Sequence, residues 1–211
     1  MIETLEANDT YQWLVDAASP SGCDEFDVHV VASIMALAIA EANGAESAMC
    51  DNIGLEGAAL VEVSRKVFPA AAGIFKRIAS TAAVTVDEEE QSLRDILVMY
   101  STGVSSLEPY LAAMIARRCK FPHHLWQDLG LRNRGELSHL MRRHFTALAM
   151  RNANDMKWKK FLYRLVCRSE GFSLCMAPVC SDCDDFTNCF GAEDGESILA
   201  RMRNGQNVAS A

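Results

Sequence analysis

The chain has 211 residues, of which 50% are hydrophobic and 23% are charged, as is typical of a globular protein that buries a core. Its formal net charge of −8 argues against a nucleic-acid partner, because phosphate contacts need a basic surface. The most apolar stretch, residues 30–40, is too short to span a bilayer and lies between Asp27 and Glu41, so we expect a buried helix and no membrane partner.

Helical patterns dominate the first half of the chain. Asp9 and Thr10 are predicted to cap a short helix, and a long apolar helix is expected over residues 24–42. Residues 43–54 are predicted to form a loop. Two further helices are expected, one ending before Pro69 and one following it.

The second half continues the helical pattern after one exception. Residues 81–90 contain the only stretch with β-strand character, which leads directly into an acidic helix start. A short helix is expected within 123–130. Asn133 is predicted to cap a single long helix over residues 134–150, and another helix is expected from about 156 to 170.

This pattern predicts a mainly α protein with three parts. Residues 1–170 form a bundle-like helical domain. Residues 171–195 contain four cysteines and no lysine or arginine, and they are predicted to form an irregular metal- or cluster-binding loop. Residues 196–211 are expected to be a flexible tail.

The four cysteines are Cys175, Cys180, Cys183 and Cys189, in the spacing C-x4-C-x2-C-x5-C. The N-terminal residues carry acids where a secretory signal would be basic and apolar, which predicts a cytoplasmic protein with reduced thiols. Zinc sites usually pair two short cysteine knuckles across a longer spacer, which is absent here. The first three cysteines match plant-type ferredoxin spacing but the fourth does not. An iron–sulfur cluster, a zinc ion and reduced cysteines therefore all remain open.

Two other residues are candidates for the same site. His124 is a candidate metal ligand, or a donor to a bridging sulfide or an oxo group, with ordinary packing at a helix start as the alternative. Cys167 is a possible fifth ligand, although such a cysteine more often packs as a small hydrophobe. A basic helix precedes the cysteines and is either a solvated face or a surface that steers an oxyanion or docks a partner. Its cations are Lys157, Lys159, Lys160, Arg164 and Arg168.

Two segments upstream of the cysteines carry a family resemblance. They are HLWQDLGLRNRGELSHLMRRHF at 124–145 and RNANDMKWKKFLYRLVC at 151–167. EGFSLC and the cysteine motif follow them, and Phe190 and Gly191 come directly after the fourth cysteine. In this order the segments resemble the NifQ family of nitrogen-fixation proteins, over roughly residues 120–192.

The resemblance implies a function. NifQ proteins hold an iron–sulfur cluster on this motif, so Cys175, Cys180, Cys183 and Cys189 are the implied ligands. The family is expected to carry molybdenum as a Mo–Fe–S unit for biosynthesis of the iron–molybdenum cofactor. The implied partners are the NifEN scaffold and the nitrogenase iron protein. The sequence contains no catalytic motif, so we expect a carrier and not an enzyme. A zinc-stabilised interaction module and an iron–sulfur electron-transfer protein are the alternatives.

Overall fold

The computed structural model describes residues 7–19, 22–42, 46–79, 84–169, 193, 195 and 197–203. These residues are mainly helical and none of them forms a β-strand, which confirms the mainly α prediction. The four cysteines of the predicted loop lie outside the described residues. The helices are α1 Ala7–Asp16, α2 Glu25–Glu41, α3 Glu46–Ile53, α4 Gly57–Val67, α5 Ala72–Ile78, α6 Glu88–Met99, α7 Glu108–Cys119, α8 Leu125–Asp128, α9 Arg134–His144, α10 Thr146–Arg151, α11 Trp158–Ser169 and α12 Ile198–Arg203.

Helix α2 lies at the centre of the core. Residues 30–38 are all buried, so this helix is covered on every side, as its uniform hydrophobicity predicts. It contacts α1 and α3. The Asp24 side chain caps its start by accepting a hydrogen bond from the Phe26 amide at 2.9 Å. None of the helices in the described ranges has the length and hydrophobicity needed to cross a membrane.

Two N-terminal predictions are wrong. Helix α1 begins at Ala7, so Asp9 and Thr10 lie inside the helix instead of capping it. Residues 46–53, predicted to belong to a loop, form α3, which packs against α2 and α7. Helix α3 has only eight residues, too few to show a clear helical period in the sequence, and burial of Met49 and Ile53 stabilises it instead.

The long helix predicted over residues 134–150 is two helices. Asn133 caps α9 as predicted, by accepting from the Glu136 amide at 3.1 Å. The helix breaks at Phe145, whose φ of −133° and ψ of 50° are not helical and whose side chain is fully buried. The His144 carbonyl accepts a hydrogen bond from the Thr102 amide at 3.0 Å. This tertiary hydrogen bond takes the place of the bond that the carbonyl would accept within a continuous helix.

The expected β-type stretch is also helical or irregular where it is described. Residues 84–87 contain no strand, and α6 begins at Glu88 after a cap in which Asp87 accepts from the Glu90 amide. Near the C-terminus, residues 198–203 form α12, which contacts α1 and α2 and buries Ile198. This short helix falls inside the segment predicted to be a tail, and the domain boundaries themselves stay a prediction.

Candidate functional site

The structure describes the two borders of the cysteine segment. Cys175, Cys180, Cys183 and Cys189 themselves lie outside the described residues. Helix α11 ends at Ser169 on one side of the segment, and Glu193 is placed on the other side. The candidate site is therefore built from the side chains that hold these two borders.

Helix α11 is joined at its start to α8 by a partly buried ion pair. The Lys159 ammonium group bonds the Asp128 carboxylate, and it also donates to the Phe121 carbonyl at 2.5 Å. Asp128 is 1% exposed and Lys159 is 17% exposed, so the pair belongs to the interior. His123 Nδ1 lies 3.2 Å from the other Asp128 oxygen. Lys159 is thus a structural residue. Its ammonium group is neither solvated nor available to bind an oxyanion.

Glu193 lies against α8 and α9. Its Oε1 atom is 3.1 Å from Arg134 Nη1 and 3.8 Å from His124 Nδ1. The Glu193 side chain is only 3% exposed, whereas the His124 ring is about one-third exposed, at 34%. Arg134 therefore holds the chain four residues after the last cysteine of the motif, and His124 lies nearby.

Glu193 Oε2 is buried and has no hydrogen-bond partner among the described residues. An unpaired buried polar atom costs roughly 1–3 kcal/mol, so such an atom usually meets a ligand, a water or a donor. The Glu193 carboxylate thus keeps one oxygen available, while the other contacts Arg134.

The His124 imidazole is biased towards its neutral form. Burial lowers the pKa of His124, and the ammonium groups of Lys157 and Lys159 lower it further, whereas Glu193 and Asp128 act in the opposite direction. The net pKa lies below the usual value. The backbone N–H of His124 donates to Gln127 Oε1 at 3.3 Å, which fixes the residue at the start of α8. Neutral imidazole is the form that binds metals.

Arg134 ties the site to the start of α11. Its Nη2 atom donates to the Asp155 carboxylate at 2.9 Å and to the Met156 carbonyl at 3.2 Å. Glu193 therefore lies near the residues that precede α11, whose 12 residues make this helix about 18 Å long.

Three of the four cysteines in the described residues, Cys23, Cys50 and Cys119, behave as packing residues. Burial raises the pKa of the Cys119 thiol to about 12, which makes it inert at neutral pH. Cys50 is buried, and Cys23 donates to the Lys66 carbonyl at 3.5 Å. Cys167 is partly buried near the end of α11. No group of three or more His, Cys, Asp or Glu side chains suited to a metal occurs in the described part of the chain.

Comparison with known proteins decides the family. The family model described as NifQ matches residues 30–191, a range that includes the whole cysteine motif. The chain belongs to the NifQ family. Proteins of this family are implicated in nitrogen fixation.

Three NifQ relatives show how far the similarity extends. A NifQ homolog of Sinorhizobium fredii is 36% identical over 82% of this chain and 75% of its own length. NifQ of Azotobacter vinelandii is 33% identical over 67% of this chain and 78% of its own length. NifQ of Rhodobacter capsulatus is 42% identical over 49% of this chain and 58% of its own length. No solved structure matches the chain.

Sequence reasoning missed Glu193 and Arg134. Both are ordinary charged residues in stretches rich in charge, and their pairing joins positions 59 residues apart. The only available signal was the place of Glu193 directly after the motif, within the loop predicted over residues 171–195. The prediction that His124 and Cys167 bind metal remains a prediction.

Proposed function

We propose that this NifQ family protein holds an iron–sulfur cluster on Cys175, Cys180, Cys183 and Cys189 and carries molybdenum on it as a Mo–Fe–S unit. It donates the molybdenum for biosynthesis of the nitrogenase iron–molybdenum cofactor. The observation that carries the proposal is the four-thiol motif inside the range matched by the family model. Four thiolates in fifteen residues suit a soft metal centre, and disulfides are disfavoured in a reducing compartment.

The described residues fit a metal-carrying segment of this kind. Arg134 pairs with Glu193 at 3.1 Å, so a cation lies at the described border of the segment, four residues after its last cysteine. Positive charge near the segment suits an anionic thiolate cluster. The orphaned Glu193 Oε2 offers an oxygen acceptor at the same place. The cluster, when bound, supplies sulfide ligands that can hold molybdenum until it is transferred.

The proposal also covers the compartment and the partners of the protein. We infer that it is a cytoplasmic carrier and not a turnover enzyme, and that its partners are the NifEN scaffold and the nitrogenase iron protein. Family membership supports these partners, since the family is implicated in nitrogen fixation. The net charge of −8 makes nucleic acid an unsuitable partner.

The test is metal analysis of protein purified without oxygen from molybdate-fed cells, together with an electron paramagnetic resonance spectrum. We expect iron, sulfide and molybdenum in the wild type and their joint loss in Cys183→Ser. Cys23→Ser is the matched control, because Cys23 lies outside the motif and its thiol only donates to a carbonyl. We expect this control to keep its metals.

Two results would overturn the proposal in different ways. Zinc as the sole metal, under strictly anaerobic conditions, would leave a zinc-stabilised interaction module. Iron and sulfide without molybdenum, with a reversible one-electron couple, would indicate an electron-transfer protein instead.

A further inference from the structure

Four large hydrophobic side chains are exposed at one end of the helical domain. They are Val98, Met99, Val104 and Met150, and each exposes between 50% and 88% of its surface. The other large hydrophobic residues of the described ranges are buried or half-buried. Single exposed apolar residues are common, but a group of them marks a surface that contacts another molecule. We call these four side chains the apolar patch.

A contact between two helix ends brings the methionines of the apolar patch to the same region. The Arg151 guanidinium carbon lies 5.1 Å from the centre of the Tyr100 ring, so the end of α10 meets the end of α6. Met150 directly precedes Arg151 in the chain, and Met99 directly precedes Tyr100. The two methionines are therefore neighbours in the fold although 51 positions separate them in the sequence.

The loop after α6, which carries Val104, is fixed against the same end of the domain. The Thr102 amide donates to the His144 carbonyl at 3.0 Å, at the junction of α9 and α10. The Val104 amide donates to the Thr102 hydroxyl at 3.3 Å, and the Glu108 carboxylate accepts from the Gly103 amide at 2.7 Å. Because these bonds order the loop beforehand, a partner that binds here loses little conformational entropy.

Two arginines without a carboxylate partner lie on the helices of this end. Arg142 in the last turn of α9 and Arg151 at the end of α10 are exposed, and neither pairs with an acid in the described part of the chain. Arg143, by contrast, pairs with acids of α2. Asp95, one turn before Met99, is an exposed acid. The charge around the apolar patch is thus mixed beside α6 and positive beside α9 and α10.

This combination of side chains fits a protein surface of opposite charge. Methionine and arginine are enriched at protein interfaces, and the flexible methionine side chain adapts to the surface that it meets. Nucleic acid is disfavoured by the net charge of −8 and does not need exposed thioethers. A second copy docked by the same face would bring the unpaired arginines of both copies together, which is repulsive.

We propose that the apolar patch, with Arg142 and Arg151 beside it, is a docking surface for a partner protein that presents an apolar pocket bordered by carboxylates. The inference rests on the proposed function for the choice of partner, which is the NifEN scaffold or the nitrogenase iron protein. None of the four motif cysteines belongs to this surface. Changes to it should therefore alter partner binding and leave the metal content unchanged.

The location of the surface is tested by nuclear magnetic resonance of the methionine methyl groups. Full-length protein with carbon-13 in these groups is titrated without oxygen with each purified partner, and Met99→Leu and Met150→Leu assign the two exposed signals. We expect the signals of Met99 and Met150 to shift with one of the partners. The signals of Met35 and Met114, which are fully buried in α2 and α7, should keep their positions.

The apolar contribution is tested by the double variant Met99→Ser/Met150→Ser. Both side chains are exposed, so the variant should keep the wild-type Tm. We expect its dissociation constant for the partner to rise roughly tenfold, because the apolar centre of an interface supplies most of the binding free energy. Its iron and molybdenum content should equal that of the wild type.

The contribution of charge is tested by Arg142→Glu/Arg151→Glu. We expect roughly tenfold weaker binding at low salt and a smaller difference at high salt, because ions screen exposed charges. The matched control is Arg65→Glu/Lys76→Glu. It reverses two exposed cations of α4 and α5 that have no carboxylate partner in the described ranges, and it should bind as the wild type does.

The outcomes separate this inference from the proposed function. A wild type that holds iron and molybdenum but binds neither partner would overturn the docking surface and leave the metal carrier intact. Wild-type affinity in both double variants, or equal weakening in the control, would also overturn it. So would shifts of the Met99 and Met150 signals that follow only protein concentration, or only addition of phosphatidylglycerol vesicles. Binding with the expected pattern by a protein without molybdenum would keep the surface and end the carrier function.

Discussion

At the scale of single residues, this acidic chain holds several cations inside the fold. The Arg118 side chain is fully buried and forms a two-point contact with Glu41, at 2.6 and 2.9 Å. It also donates to the Asp128 carbonyl at 2.5 Å. Lys159 bonds the Asp128 carboxylate from the other side. A buried charge is tolerated only where it is paired, so these cations fix how α2, α7, α8 and α11 meet.

The pair of Lys159 and Asp128 leads to a stability prediction. Lys159→Met leaves the 1% exposed Asp128 carboxylate with only His123 as an ionisable partner, so we expect a loss of about 3 kcal/mol in the free energy of unfolding. The control is Lys160→Met, because Lys160 is exposed on the same helix. This change should alter stability by less than about 0.5 kcal/mol. Chemical denaturation of both variants is the measurement, and equal stabilities would show that Lys159 is a surface cation.

At the scale of helices, the backbone conformation of Gly130 ends the short helix α8. Gly130 follows α8 with a φ of +71°, which places it in the left-handed region that favours glycine. A Cβ atom at this position would lie 2.8 Å from the Ser33 carbonyl oxygen of α2. The end of α8 therefore approaches α2 closely, and this contact places His124 relative to the core.

Gly130→Ala is expected to be strongly destabilising. The left-handed φ and the contact with the α2 backbone together should cost about 2–4 kcal/mol, read as a lower Tm and denaturation midpoint. Gly73→Ala is the matched control, because it lies in the first turn of α5 with no atom within 4 Å of the added Cβ. It should stabilise the protein by about 0.5 kcal/mol. A Gly130→Ala variant as stable as the wild type would disprove the close approach of α8 to α2.

At the scale of the whole molecule, carboxylates join distant parts of the chain. Burial acts to raise the pKa of Asp27, but its hydrogen bonds and charge pairing with His144 and Arg143 lower it overall. The pKa of Glu108 is lowered in the same way, against burial, by hydrogen bonds from Thr102, Gly103 and Ser105. These groups link α2, α7 and α9. Their folded-state pKa values lie below those of the unfolded chain, so each adds stability at higher pH.

Because folding lowers the pKa values of these carboxylates, we predict that the folded state loses stability in acid. Stability from Asp27 is fully present above its unfolded pKa of about 4 and is lost as the pH falls through the lower folded value. Asp27→Asn should be less stable at pH 7 and should show a shallower fall of Tm between pH 5 and pH 2. Asp95→Asn, at an exposed position on α6, should follow the wild-type curve. Parallel curves for wild type and Asp27→Asn would exclude this linkage.

The sequence alone was sufficient for the features that depend on local chemistry. The pattern of helix signals along the chain predicted a mainly helical protein, and the apolar run at residues 30–40 predicted a buried helix. Asn133 marks the start of α9 as predicted, because its side chain can bond a nearby amide, which is a property of short-range geometry. The cysteine spacing and its neighbours indicated the family that the comparison then confirmed.

The tertiary structure decided what depends on distant partners. The break at Phe145 follows from burial of its ring and from the bond between Thr102 and the His144 carbonyl, which no local pattern shows. Helix α3 forms because α2 and α7 cover it. Likewise, Glu193 and Arg134 meet only because the chain after the cysteines returns to the start of α11. Local sequence sets backbone preference and ligand type, whereas long-range packing alone determines which charges face each other.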